Sequence, residues 1–130
     1  MEYGPKSLRT FVGAKDFELS RQFYRDLGLT EVPISGDMVL FTWPNGLSFY
    51  LQDYYVRDWV DNSMLFLEVA DVERCLLDLE ARGLVQKYPS VRLSKIKKWD
   101  WGREIFLHDP SGILWHFGEF FETGQDVSNT

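Results

Sequence analysis

The sequence predicts an α+β fold made of two βαβββ units. Asp16-Phe17-Glu18 opens an amphipathic run that closes at Leu27-Gly28-Leu29. Asp71-Val72-Glu73 opens another that closes at Arg82-Gly83-Leu84, 55 residues on at both ends. Pro44-Asn45-Gly46-Leu47-Ser48-Phe49-Tyr50-Leu51 is echoed by Pro110-Ser111-Gly112-Ile113-Leu114-Trp115-His116-Phe117 at an offset of 66, so the second copy carries 11 extra residues. Such a repeat points to two similar units facing each other across a pseudo-two-fold.

Each element has a local reason. Leu8 to Ala14 reads as a strand. Asp16 can accept from the orphan N–H groups of a helix start. Leu19, Phe23, Tyr24 and Leu27 follow at helical spacing, and Gly28 suits the left-handed position after the last turn. Thr30 to Pro33, Met38 to Trp43 and Leu47 to Gln52 are short extended segments. Pro44-Asn45-Gly46 turns the last two into a hairpin. Asp53 to Asn62 connects the units. Met64 to Val69 starts the second unit as a strand, and the helix Val72 to Arg82 carries Val72, Cys75, Leu76 and Leu79 on one face. Val85 to Asp100 is long for a loop and is expected to be functional or partly stranded. Arg103 to His108 and Ile113 to Gly118 close the unit around Asp109-Pro110-Ser111-Gly112. Thr123 to Thr130 is polar and is expected to fray.

The 130 residues read as a single domain, 1–130, with repeat units at about 8–52 and 63–122. Apolar residues make up 45% and charged residues 26%, a soluble, globular balance. The apolar runs are too short to span a bilayer, so no membrane partner is expected. Met1 to Pro5 lacks the basic start and apolar run of a signal peptide. Cys75 is the only cysteine, which rules out an intrachain disulfide and makes a cytoplasmic location the default. A net charge of −6 argues against nucleic acid, which needs basic patches, and weakly favours a cationic ligand. The one basic stretch, Lys87 to Lys98, reads as a solvated connection, because no glycine-rich cradle accompanies it. Aromatic residues make up 16% of the chain, more rings than a core of this size usually takes, so some are expected to line a cavity.

At this point the residues resemble a known superfamily. The paired units, the segment Phe23-Tyr24-Arg25-Asp26-Leu27-Gly28-Leu29 and the turn Asp109-Pro110-Ser111-Gly112 look like the glyoxalase/bleomycin-resistance/extradiol-dioxygenase (vicinal oxygen chelate) superfamily, over roughly Leu8 to Glu122. The run from Trp101-Gly102-Arg103-Glu104 to Gly112 and the segment Asp61-Asn62-Ser63 are most similar to its drug-binding branch, the bleomycin resistance proteins. The resemblance implies curled mixed sheets around a central cleft. It also implies a homodimer with exchanged N-terminal strands.

Most enzymes of the superfamily hold a divalent ion between the sheets, with ligands from four equivalent strand corners. Counting seven back from Asp16 and Asp71 gives Arg9 and Met64. Counting four past Gly46 and Gly112 gives Tyr50 and His116. Arginine cannot coordinate. A thioether suits soft ions, and Tyr50 would need a heavily depressed pKa. Only His116 is competent, so neither a metal nor any other cofactor is expected. No nucleophile–base pair or phosphate loop replaces it.

A pocket with polar tips on an apolar wall remains. Trp101 matches the branch's ligand-stacking tryptophan, or else packs under the inserted loop. Trp99 would share its strand face. Phe41 and Trp43 either line the first unit's half of the cleft or pack in the core. Trp115 and Phe49 are expected to face the helices, opposite His116 and Tyr50. Arg9 in a cleft would need a partner such as Glu68, Asp37 or a ligand anion. The acidic, aromatic connection Asp53 to Asp61 is either a surface linker or a grip for a basic ligand.

The expected function is metal-free sequestration of a planar small molecule, with Trp101, Trp99, His116, Tyr50, Arg9, Met64, Phe41 and Trp43 as binding residues. The alternative is an enzyme of the same superfamily, either with relocated metal ligands or using His116 and Tyr50 for acid–base chemistry.

Overall fold

Both helix-opening aspartates do what their spacing predicts. In the computed structural model, which describes residues 3–122, Asp16 accepts from the Leu19 N–H, and Asp71 accepts from the Glu73 and Arg74 N–H groups. The first unit runs β1 (Phe11–Gly13), α1 (Phe17–Asp26), β2 (Thr30–Ser35), β3 (Met38–Thr42) and β4 (Ser48–Gln52). A short helix, α2 (Arg57–Asp61), leads to the second unit. That unit comprises β5 (Met64–Glu68), α3 (Val72–Ala81), α4 (Leu84–Lys87), β6 (Arg92–Leu93), β7 (Lys97–Lys98), β8 (Gly102–His108) and β9 (Leu114–Phe120).

Two open mixed sheets result. The first has the order β1-β4-β3-β2, and the second has β5-β9-β8-β6 with β7 also paired to β8. In each sheet one pair is parallel, β1 with β4 and β5 with β9, and the others are antiparallel. The two hairpin turns match, with Gly46 at φ 95° and Gly112 at φ 104°, a region in which only glycine is relaxed. The expected α+β fold of two βαβββ units is therefore present.

The inner faces of both sheets meet at Tyr24 of α1, and α3 packs on β8 and β9 of the second sheet. Tyr24 packs against Phe41, Phe49 and Trp115, at ring separations of 5.4, 5.0 and 6.2 Å. Phe23 packs edge-on to Tyr88. Burying each such ring contributes about 1.5–3 kcal/mol. Trp115 and Phe49 face this core, as the alternation along their strands requires. Buried polar groups here are paired: Tyr24 Oη donates to Asp109 Oδ2 at 2.7 Å and accepts from Trp115 Nε1 at 2.9 Å. Asp109 Oδ1 accepts from the N–H groups of Ser111, Gly112 and Ile113 and so builds its own turn. Lys87 and Tyr88 both donate to Asp26 and tie the inserted stretch to α1.

One connection differs from expectation and one follows it. Asp53 to Asn62 contains α2, whose five residues are too few to announce a helical period. Val85 to Asp100 is partly stranded, with β6 and β7 both adding to β8. Thr123 to Thr130 lies outside the described residues. Among the described residues, no helix is long and apolar enough to cross a membrane.

Candidate ligand-binding face

The two parallel strand pairs put equivalent residues side by side. Phe11 lies beside Tyr50 on the first sheet, and Phe66 beside His116 on the second. Counting along the sequence places Arg9 and Met64 at these positions. The backbone ladder, including Tyr50 N–H to Thr10 O at 3.0 Å, instead sets them two residues upstream on the same face. Arg9 pairs with neither Glu68 nor Asp37 among the described residues. It is exposed, and its Nη1 donates to Tyr50 Oη at 2.9 Å.

The outer face of the second sheet gathers rings. Trp101 lies 6.0 Å from Phe66 and 5.1 Å from Phe120, and Phe66 lies 5.7 Å from Phe120. Phe66 and Phe120 are 47% and 49% exposed, so the three rings form an open wall. Phe66 leans across Gly118, where an added Cβ would sit 2.3 Å from the Phe66 Cζ. The missing side chain at 118 is what lets the ring lie there.

His116 stands at the base of this wall, stacked on Phe66 and edge-on to Phe106. Its Nδ1 lies 2.9 Å from Glu104 Oε1, and Trp99 Nε1 donates to Glu104 Oε2 at 2.8 Å. Glu104 is only 6% exposed. His116 Nε2 is buried and has no hydrogen-bond partner, and it is the one such side-chain atom among the described residues.

Other expected positions fall elsewhere. Trp99 does not share a strand with Trp101. The backbone N–H of Trp99 bonds to Gly102 O at 2.8 Å, so Trp99, Asp100 and Trp101 form the tight turn from β7 to β8. Phe41 is fully buried against Tyr24 and does not line the outer face. Trp43 follows on the same inner side, 5.8 Å from Phe49 and 5.2 Å from Trp115. It borders a groove of about 610 Å³ between the segment 8–10 and β5, together with Leu65 and Phe66. Phe41 is thus a core residue, whereas Trp43 is half-buried, packing on the core rings and bordering the groove. In the acidic connection, Tyr54 and Trp59 lie 5.9 Å apart beside a groove of about 480 Å³.

Phe66 and Phe120 escape sequence reasoning, which follows the repeat corners and the Trp101 motif alone. The period-two series Met64-Phe66-Glu68 and His116-Gly118-Phe120 is the signal that finds them.

The single cysteine is not activated as a nucleophile. Burial pushes the Cys75 thiol up to about 11, so the thiolate is scarce at neutral pH. Burial, followed by Arg92 and His116, lowers the His108 pKa. A divalent ion does not fit the corner residues either. Phe11 and Phe66 carry no donor atom, Tyr50 Oη accepts from Arg9, and His116 turns one nitrogen to Glu104. Among the described residues, no three His, Cys, Asp or Glu side chains come together in a cluster able to hold a metal.

No protein-family model matches the chain, and no curated protein matches it. Solved structures do. A bleomycin-binding protein complexed with bleomycin superposes with a TM-score of 0.74 at 17% identity, covering 90% of this chain and 100% of that one. TnmS3, an antibiotic-binding protein from Streptomyces sp. CB03234, gives 0.70 at 18% identity over 90% and 98%. A lactoylglutathione lyase from Agrobacterium tumefaciens gives 0.63 at 18% over 88% and 94%. Binders and an enzyme thus share one architecture, and at these identities the likeness speaks for fold alone. With its two βαβββ units and its open ring-bearing sheets, the chain has the fold of the glyoxalase/bleomycin-resistance/dioxygenase proteins.

Proposed function

We propose that this protein is a metal-free binding protein that sequesters a planar aromatic small molecule. The observation that carries the proposal is the open wall of Phe66, Trp101 and Phe120, three partly exposed rings within 6.0 Å of one another. Exposed rings arranged this way favour stacking of a flat ligand, at about 0.5–1.5 kcal/mol per ring pair beyond the area buried. The unfit corner donors favour trapping over metal-assisted chemistry. The bleomycin-binding and antibiotic-binding neighbours support a ligand of the antibiotic class. The net charge of −6 would steer a cationic ligand.

The working form is a cytoplasmic homodimer with exchanged N-terminal strands. Support comes from the short edge strand β1, the 98% exposed Leu8 before it, and the apolar residues Phe11 and Met64 left open on the two outer faces. A second copy would set one outer face against the other and turn each wall into a cleft. Titrating a bleomycin while following tryptophan fluorescence tests the reading. Saturable quenching at one ligand per chain is expected, and no change at micromolar ligand removes this drug class. Sedimentation at micromolar protein tests the dimer.

The His116–Glu104 pair favours one second reading, acid–base catalysis without a metal. Stoichiometric recovery of the ligand unchanged from the complex separates trapping from turnover.

A further inference from the structure

We infer that the groove between the first hairpin turn and α3 is a second ligand site, which takes an organic cation with a compact apolar body. None of Phe66, Trp101 and Phe120 lines this groove, so the inference stands apart from the ring wall and from the sequestration reading.

The duplicated plan marks the groove as a break in symmetry. In the second unit the turn from Asp109 to Gly112 is fastened to the start of α1. Ser111 Oγ accepts from the Lys15 N–H at 2.9 Å and lies 3.3 Å from Ser20 Oγ. Asp109 Oδ1 holds the N–H groups of the turn, and Ile113 beyond it is fully buried. The offset of 66 along the turns puts Trp43, Asn45 and Leu47 in the places of Asp109, Ser111 and Ile113. The offset of 55 along the helices puts Ala70 and Cys75 in the places of Lys15 and Ser20. Here the fastening is lost. Asn45 Oδ1 turns back to accept from the Leu47 N–H at 3.3 Å, and Leu47 is 50% exposed. All five residues line an open groove of about 370 Å³.

The lining of the groove selects its occupant. Leu27, Leu79 and Phe117 supply buried apolar surface, and the volume suits a small molecule. Among the described residues, the charged ones that line it are two carboxylates, Glu68 and Asp78. Asp78 accepts from Arg82 at 2.8 Å. Glu68 is exposed and forms no ion pair among the described residues. A cleft lined by charge of one sign concentrates the opposite ion. The half-buried indole of Trp43 adds a ring face of the kind that attracts cations. Charge complementarity therefore calls for a cationic head, and the apolar lining calls for a hydrocarbon body.

The test compares naphthylmethylamine with naphthylmethanol at neutral pH, where the amine is protonated and the alcohol is its neutral match in shape. Calorimetric titration is expected to show the amine binding wild type about fivefold tighter than the alcohol. The double variant Glu68→Gln/Asp78→Asn is expected to bring the two within about twofold. Cys75 lines the groove and is the only cysteine, so its thiol reports occupancy. The amine is expected to slow methanethiosulfonate modification of Cys75 in proportion to its binding.

Equal affinity for amine and alcohol overturns the inference, as does failure of both to bind, and neither result depends on the variant folding. A preference that survives the double variant overturns it too. Amine binding that leaves Cys75 unprotected and is lost in Trp101→Ala puts the probe on the ring wall, which overturns the second site and leaves sequestration standing. Protection of Cys75 that rises with protein concentration in the absence of amine makes the groove a contact between copies and overturns the ligand site.

Discussion

Replacing Tyr24 by Phe removes one oxygen and strands two partners. Tyr24 is fully buried, donates to Asp109 Oδ2 at 2.7 Å and accepts from Trp115 Nε1 at 2.9 Å. Without the hydroxyl, the buried indole N–H has no acceptor, and Asp109 keeps only its backbone donors. A stranded buried donor costs about 1–3 kcal/mol, and loss of a bond to a charged acceptor costs a similar amount. The ring contacts survive, so the sum is about 2–6 kcal/mol, or roughly 8–24 °C in Tm for a domain of this size.

The penalty depends on pH. Burial pushes the Asp109 carboxyl up to about 6, although its four hydrogen bonds pull the other way. A raised native carboxyl stabilises the fold fully below the unfolded value, and that contribution is lost as pH rises through about 6. The shift corresponds to about 3 kcal/mol between those limits. A neutral carboxyl gains less from the Tyr24 donor, so the Tyr24→Phe penalty should shrink between pH 7 and pH 5. Thermal melts of both proteins at the two pH values measure it. A Tyr24→Phe protein melting within about 2 °C of wild type at pH 7, or losing as much at pH 5 as at pH 7, refutes the reasoning.

Three further substitutions probe the ring wall and the strand beneath it. Gly118→Ala places a methyl 2.3 Å from Phe66 Cζ; the half-exposed ring should swing away, weakening aromatic-ligand binding about tenfold while moving Tm by only a few degrees, as titration and melting will show. Gly102→Ala meets backbone, with its Cβ 2.1 Å from Glu119 O; the β8–β9 ladder must shift, and a loss of about 2 kcal/mol or more should appear in urea unfolding. Trp101→Ala removes a ring from the wall and should weaken binding of a flat ligand by about tenfold with near-normal stability, because the residue sits in a surface turn.

The fold was legible because its signals are local or duplicated. Asp16 and Asp71 announce their helices by capping chemistry, and Gly46 and Gly112 announce their hairpins by backbone conformation. The helix α2 is too short to show a period, and the pairing of β6 and β7 with β8 depends on partners distant in sequence. Trp101 and His116 could be named as candidates from motif and repeat. The inward turn of Phe41 and Trp43 could not, since alternation fixes that two faces exist without saying which is covered.

The sequence alone therefore determined the duplicated βαβββ plan, the positions of the two aspartate-capped helices and of the hairpins, and two of the four corners, Tyr50 and His116. Those follow from residue chemistry and short-range geometry. Tertiary structure decided that Phe66 and Phe120 join Trp101, that Trp99 turns back to Glu104, and that His116 keeps one nitrogen unpaired. These depend on strand register and on which face packs against α1, and both are set by long-range backbone pairing that no local pattern encodes.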